Sequence, residues 1–212
     1  LNILNRILYF LLVVITFFSC SEQDEQNYYQ LNGFAQGTTY NITYEDSLQR
    51  NFQPEIDSML RLVDNSVSTY KEESIISKFN ALNDTTTWFE LDDIFYQNLL
   101  LSKYVHRKTK ETFDPTVAPL YNYFEFDEEG IQQLDTTIID SLRQFVSLDL
   151  IDFNDENKTI RKRVPRVTLN FNAVAQGFSV DFIAINLKSM GINNFIVEVG
   201  GEILTRGVNP NG

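Results

Sequence analysis

Apolar and polar positions along the chain follow two spacings, and the changes between them outline the elements. In "GFAQGTTYNITYED" residues Tyr40, Ile42 and Tyr44 recur every second position. That predicts a strand with those three on one face, opened by Gly37-Thr38-Thr39. In "QPEIDSMLRLVDNSVSTY" the apolar residues Ile56, Met59, Leu60 and Val63 take helical spacing instead. "SIISKFNAL" predicts a short helix capped by Ser74, and "LDDIFYQNLLLSKYVHRKT" the longest amphipathic helix, capped near Asp92. "FDPTVAPLYNYF" carries Pro115 and Pro119 and reads as an ordered loop.

Further on, "DTTIIDSLRQFV" predicts a helix and "DLIDFNDENKTIRKR" a hairpin turning over Asn154 to Asn157. "RVTLNF" predicts a strand. "AVAQGFSVDFIAINLKSMG" predicts a helix from Ala173 to Leu187 that ends at Gly191, with Val174, Phe178, Phe182 and Ile185 facing inward. "NNFIVEVGGEI" predicts a strand broken at Gly-Gly. Helices and strands interleave irregularly, so the fold class is α+β and not a strictly alternating doubly wound sheet.

The length, 212 residues, fits one domain with room for part of a second. A hydrophobic fraction of 43% supports a packed core. The net charge of -12 argues against nucleic acid as a partner, since backbone binding needs a basic face. The run Arg161-Lys162-Arg163 reads as a solvated strand end or turn.

The first residues predict something other than the fold. "LNILNRILYFLLVVITFFSC" places Arg6 before an apolar run that is short for a membrane span and ends at Ser19-Cys20. Residues 1–19 are expected to be a signal peptide, and the chain's one cysteine, Cys20, a lipidation site; a plain signal with an incidental cysteine is the alternative. Phe17 departs from the Leu usual at the first position of a lipobox. One cysteine makes no internal disulfide, so packing must hold the domain. Residues 20–30 read as a lipid-proximal tether and 31–212 as the domain. The close at "GVNPNG" follows directly on an apolar strand, so the domain is expected to be incomplete at its C-terminal side.

The chemistry is sparse. His106 is the sole histidine and sits beside Arg107 and Lys108, where it reads as solvated. A Ser-His-Asp set or a histidine-rich metal site therefore has no basis, and neither a Walker loop nor GxGxxG occurs. The helix beginning near Ala173 could receive a phosphate at its N-terminus, with Asn172 as cap and Gly177 admitting a neighbouring backbone, or it could simply be a capped core helix. "ETFDPTVAPL" is either a shaped loop or a structural proline turn. Tyr70 and Lys71 in "VSTYKEESIISKFN" form an aromatic platform for a flat ring, or else core packing.

Six stretches in order, "GFAQGTTYNITY", "VSTYKEESIISKFN", "FDPTVAPL", "LNFNAVAQGFSVDFIA", "GINNFIVEVGGEI" and "RGVNPNG", resemble the ApbE family of FAD:protein FMN transferases. The resemblance runs from about Gly33 to the end. It implies a mixed, largely antiparallel sheet with packed helices. It also implies exported lipoproteins that take FAD with Mg²⁺ and move FMN onto a Thr or Ser hydroxyl of a redox protein, releasing AMP. Acceptors so implied are subunits of Na⁺-translocating NADH:quinone reductase or of the Rnf complex, and the location implied is the periplasmic side of the inner membrane.

By position, the resemblance implies FAD contacts from Gln36, Tyr70, Thr112, Phe113, Asp114, Asn170 and Gln176, and a backbone carbonyl to the metal from Ala173. Gln36 stands where the family commonly has Met. Asn170 replaces a family Asp, and Gln176 a Glu or Lys; both amides can still hydrogen-bond a nucleotide. The family's His-x-x-Asp/Asn-Pro segment and its Asp and Thr metal ligands have no counterpart here. Catalytic residues are thus unassigned, and the chain as written is expected to be inactive by itself. The alternative function is an exported lipoprotein that binds or hydrolyses FAD without modifying a protein.

Overall fold

The computed structural model describes residues 28–124 and 135–208. The signal-like segment and Cys20 lie outside the described residues. The period-two pattern around Tyr40 builds two strands, not one. β1 (Tyr28–Ala35) and β2 (Thr38–Glu45) pair antiparallel, from Tyr28 opposite Glu45 to Ala35 opposite Thr38. β1 starts at Tyr28, inside the stretch read as tether. Gln36 and Gly37 form the two-residue tip with φ of 55° and 73°. Positive φ at both central positions matches the strand twist in tight hairpins.

The later strands complete this sheet. β6 (Phe195–Val199) and β7 (Glu202–Arg206) turn at Gly200-Gly201, and the order is β1-β2-β6-β7, antiparallel throughout. A second, three-stranded sheet has the order β3-β5-β4, from β3 (Phe89–Glu90), β4 (Ile151–Asn154) and β5 (Thr159–Lys162). The helices are α1 (Gln53–Val67), α2 (Ile75–Ala81), α3 (Asp93–Lys108), α4 (Ala118–Tyr123), α5 (Thr136–Arg143) and α6 (Asn172–Ser189). This is the expected α+β class with antiparallel sheets.

Two cores form, and α1 and α6 serve both. The first joins Tyr40, Ile42 and Tyr44 of β2 to Ile56, Met59 and Leu60 of α1 and to Val180, Ile183 and Leu187 of α6. The second joins Val63 and Val67, one helical turn onward in α1, to Phe79, Phe95, Leu99, Ile160, Phe171 and Val174. Each such side chain contributes about 1.5–3 kcal/mol on leaving water, so these two helices hold the halves together. The caps fall where the sequence put them. Ser74 Oγ accepts from Ser77 N at 3.1 Å, and Asp92 Oδ1 from Phe95 N at 2.7 Å.

Several expectations fail for physical reasons. Val167–Phe171 alternates as a strand should, with Val167, Leu169 and Phe171 fully buried, yet it joins neither sheet. Its partner is a side chain: Asn80 Nδ2 donates to Leu169 O at 2.8 Å, and Leu169 N donates to Asn80 Oδ1 at 2.8 Å. Proline did not keep "FDPTVAPLYNYF" irregular, because Pro119 sits in the first turn of α4, where its missing N–H costs nothing. Ile185 is 67% exposed, not inward, since α6 is apolar on most sides and packing alone chooses the buried arc. Gly177 has no neighbouring backbone close to it.

The basic run is not solvated as a unit. Arg161 and Arg163 both bind Asp152, at 2.7 Å each. Lys162 is 1% exposed, and burial pulls its pKa down to about 8. Its Nζ donates to the carbonyls of Asn80 (2.8 Å), Leu82 (2.9 Å) and Pro165 (3.1 Å). Lysine here ties the end of α2 to the segment leading into Val167. Lys162→Met would take the donor from three partly shielded carbonyls and should lower unfolding free energy by roughly 1–3 kcal/mol in urea titrations. A midpoint equal to that of the parent would refute this role.

Candidate active-site cleft

One end of the larger sheet gathers both hairpin tips. Gly200 N donates to Thr39 O at 3.1 Å, which sets the β6–β7 turn beside the β1–β2 turn. A side chain at Gly200 would strike Gln176 Nε2 at 2.6 Å and Thr38 Cγ2 at 2.9 Å, so Gln176 packs directly over that turn. Between these tips, the C-terminal end of α1 and the start of α6 lies a cleft of about 470 Å³. Gln36, Asp64, Tyr70, Lys71, Asn172 and Gln176 supply its polar lining; Val63, Val67 and Ala175 supply apolar wall. The volume is that of a small-molecule site.

The geometry within it is specific. Gln36 Nε2 donates to Ser179 Oγ at 2.6 Å, while Gln36 Oε1 is buried without a hydrogen-bond partner. Gln36 also holds a left-handed backbone, a conformation uncommon outside glycine and asparagine and often kept where a site requires it. Tyr70 is 82% exposed, its ring available for stacking. Burial raises the Asp64 carboxyl above its ordinary pKa, against the Lys71 charge and a hydrogen bond from the Gln36 backbone. Lys71 Nζ in turn donates to Asn65 Oδ1 at 2.7 Å.

Of the residues anticipated from sequence, Gln36, Tyr70 and Gln176 come together here. Lys71 and Asn172, the platform and helix-start residues, line it as well, whereas Thr112, Phe113, Asp114, Asn170 and Ala173 do not. Asn170 stands behind it: its Oδ1 accepts from Asn172 N at 2.8 Å, and its own N–H donates to Pro115 O at 2.8 Å. Asn172 is therefore not the cap of α6 but its first residue; the cap position is Phe171, which makes no side-chain capping bond. The helix start is also poorer in free donors than anticipated, because Val174 N and Ala175 N both bond Phe171 O, at 2.9 and 2.8 Å.

The Thr112–Asp114 loop adjoins this segment through Pro115 but faces another way. Asp114 Oδ1 accepts from Thr116 N (2.8 Å) and Thr116 Oγ1 (2.6 Å), and its Oδ2 from Leu148 N (3.2 Å). Phe113 packs against the second core and Thr112 is exposed. His106 is not solvated, being only 18% exposed. Its Nδ1 donates to Phe113 O at 2.7 Å and lies 3.8 Å from Asp114. Sequence reading missed Asp64. A carboxylate one residue after the buried Val63 stripe was the available signal.

A metal finds little to bind. Among the described residues no group of three or more His, Cys, Asp or Glu is placed to hold one. Ala173 lies across α6 from the cleft, in a hollow shared with Leu101, Val105, Asp181 and Glu202. A Mg²⁺ ion seeks near-octahedral oxygen ligation, which one carbonyl does not approach.

This is an α+β domain with antiparallel sheets and a cleft at its hairpin tips. The ApbE family pattern matches residues 36–212, and the chain belongs to the ApbE family. Two curated relatives are FAD:protein FMN transferases. That of Haemophilus influenzae is 31% identical over 199 residues, 90% of this chain and 58% of its own length. That of Vibrio cholerae is 32% identical over 204 residues, 91% and 58%. Among solved structures, the flavin transferase ApbE from Vibrio cholerae superposes with a TM-score of 0.78 at 30% identity, over 87% of this chain and 61% of that one. The apo flavinyl transferase ApbE of Pseudomonas stutzeri gives 0.78 at 25%, over 87% and 60%. The chain spans about 58% of the length of the curated relatives it matches.

The division between cleft and bracket is open to test. Asp114→Ala should reduce thermal stability, with loss of three hydrogen bonds worth about 1 kcal/mol each, and leave ligand affinity nearly intact. Tyr70→Ala should do the reverse. Calorimetry and flavin-fluorescence titration on both variants would contradict the assignment if the two effects were exchanged.

Proposed function

We propose that this protein serves as a FAD:protein FMN transferase, with the Gln36–Tyr70–Gln176 cleft receiving the flavin nucleotide. The observation that carries the reading is a cleft that joins the exposed ring of Tyr70 to Gln36 and Gln176, in a domain of the ApbE family. The relatives' names, and the 90% and 91% of this chain that they match, support it.

In the proposed reaction the acceptor's Thr or Ser oxygen forms a bond to the FMN-side phosphorus. The phosphoanhydride bond to the AMP half breaks, AMP leaves with that electron pair, and the hydroxyl proton is lost. Such a transfer depends on positioning and charge neutralisation more than on a strong nucleophile. The described residues contribute positioning. Tyr70 offers a stacking face, Val63, Val67 and Ala175 exclude water, and Gln36 and Gln176 offer neutral amides that add no repulsion toward a diphosphate. Lys71, at the rim, is the cation of the lining. Mg²⁺ is part of the proposal, and when bound it would neutralise phosphate charge; no step is assigned to it because the residues described here do not form its site.

The partners proposed are a flavin-accepting subunit of a membrane redox complex, of the Na⁺-translocating NADH:quinone reductase or Rnf type, and a membrane reached through lipid on Cys20. The location proposed is the periplasmic side of the inner membrane. The support is the apolar leader that ends at Ser19-Cys20.

Incubation of the full-length protein with FAD, Mg²⁺ and a candidate acceptor, followed by denaturing electrophoresis, should give a fluorescent acceptor band that is absent when FMN replaces FAD. AMP release without a labelled band would instead indicate a hydrolase, and absence of FAD uptake would remove the reading altogether.

A further inference from the structure

β1 is an outer strand of the larger sheet, and its backbone has a paired and an unpaired side. Thr39 O accepts from Gly200 N at 3.1 Å, and Glu45 N donates to Asn194 O at 2.9 Å, so both residues of β2 turn their polar groups toward the β6 side. Their register partners in β1, Phe34 and Tyr28, turn theirs the opposite way, and the antiparallel alternation adds Gln30 and Asn32. Among the described residues no strand lies there to meet these N–H and C=O groups. Such a row is a template for another extended chain.

A groove of about 500 Å³ runs along this edge, with Asn32 to Ala35 on one side and α1, through Asp57, Arg61 and Asp64, on the other. It is open because Gly33 and Ala35 bring almost no side chain to the helix-facing side of β1, where Tyr29 and Leu31 fill the corresponding space. At Gly33 none fits, since a Cβ would lie 2.5 Å from the Tyr40 ring. The Tyr40 hydroxyl donates to Asp57 and accepts from Gln53, which ties the floor of the groove to α1. Asp64 lines this groove and the cleft alike, so the two adjoin there. β7, at the opposite edge of the sheet, borders the hollow across α6 instead.

We infer that the edge of β1 at Asn32–Phe34 is the docking site of the flavin-accepting protein, which adds an extended segment to the sheet in the groove beside α1 and brings its Thr or Ser to the cleft mouth at Asp64. The inference rests on the transferase reading of the cleft. Main-chain pairing suits the task, because it grips groups that every polypeptide carries and fixes the segment's direction. Residues 32–35 give roughly 10 Å of edge, room for about four partner residues. Phe34, 74% exposed beside the tip, offers that segment an apolar contact.

Asn32→Pro removes one outward N–H and leaves the β1–β2 ladder intact, because that N–H does not face β2. Gln30→Pro makes the same change on the same edge outside the groove. With the full-length protein, transfer from FAD to a purified, flavin-free accepting subunit of a Na⁺-translocating NADH:quinone reductase is followed by band fluorescence, and FAD affinity is titrated separately. Asn32→Pro should raise KM for the subunit roughly tenfold or more, the value of one or two main-chain bonds, while FAD affinity stays within about twofold of the parent. Gln30→Pro should match the parent in both. Hydrogen exchange at Asn32 and Phe34 should be fast in the full-length protein and slow once the subunit is added. An unchanged KM in Asn32→Pro overturns the proposal, as does an equal rise in Gln30→Pro. Slow exchange at these two amides without the subunit also overturns it, because the protein's own chain then covers the edge. Should Asn32→Pro fail to fold, the exchange comparison on the parent decides. A parent that does not bind FAD is a different result, and it refutes the transferase reading itself.

Discussion

The two hydrogen bonds between the Asn80 amide and the backbone of Leu169 are the constraint on which the site depends. They let a segment with strand-like alternation run through the second core without a strand beside it, because one side chain supplies both the donor and the acceptor a neighbouring strand would have given. With Leu169 fixed, Asn170 meets Pro115 on one side and accepts from the N–H of Asn172, the first residue of α6, on the other. The start of α6 then falls beside the hairpin tips, and the cleft follows. Lys162 reinforces the same bracket from below, through the carbonyls of Asn80, Leu82 and Pro165. The interior has low dielectric, so these satisfied polar contacts are rigid, and the cost of breaking one exceeds its net contribution.

What was legible in the sequence was whatever rests on local periodicity. Tyr40, Ile42 and Tyr44 declared a buried strand face, and Ile56 to Val63 a helix stripe, because those residues alone decide which side meets the core. Ser74 and Asp92 declared their caps for the same local reason. Illegible features depend on partners far along the chain. Asn80 is 89 residues from Leu169, and Gln36 is 143 from Ser179, and no spacing rule connects them. α6 defeated face assignment because apolar residues surround it. Lys162 looked solvated because a buried lysine is recognisable only once its carbonyl acceptors are assembled.

The candidate site was half legible. Gln36, Tyr70 and Gln176 converge, whereas Asp114 and Asn170 spend their polar atoms on the frame that holds the start of α6 in place. The amides Asn170 and Gln176 thus have uses that a carboxylate would fill differently. Asn170 bridges two backbone segments, and Gln176 packs over Gly200, where only a glycine leaves it room. The tight fit at Gly200 shows where local geometry yields to the packing of Gln176 over the hairpin tip. That concession to the site is the usual signature of a functional region.

The central claim is that a flavin nucleotide occupies the cleft between the hairpin tips and the start of α6. Backbone hydrogen exchange with and without FAD tests it most directly. The account predicts slowed exchange at Gln36–Gly37, at Asp64–Lys71 and at Asn172–Gln176, with little change in a separate hollow beside the smaller sheet, lined by Trp88, Asp152 and Arg163. Protection centred on that hollow, with the hairpin tips unaffected, would contradict it.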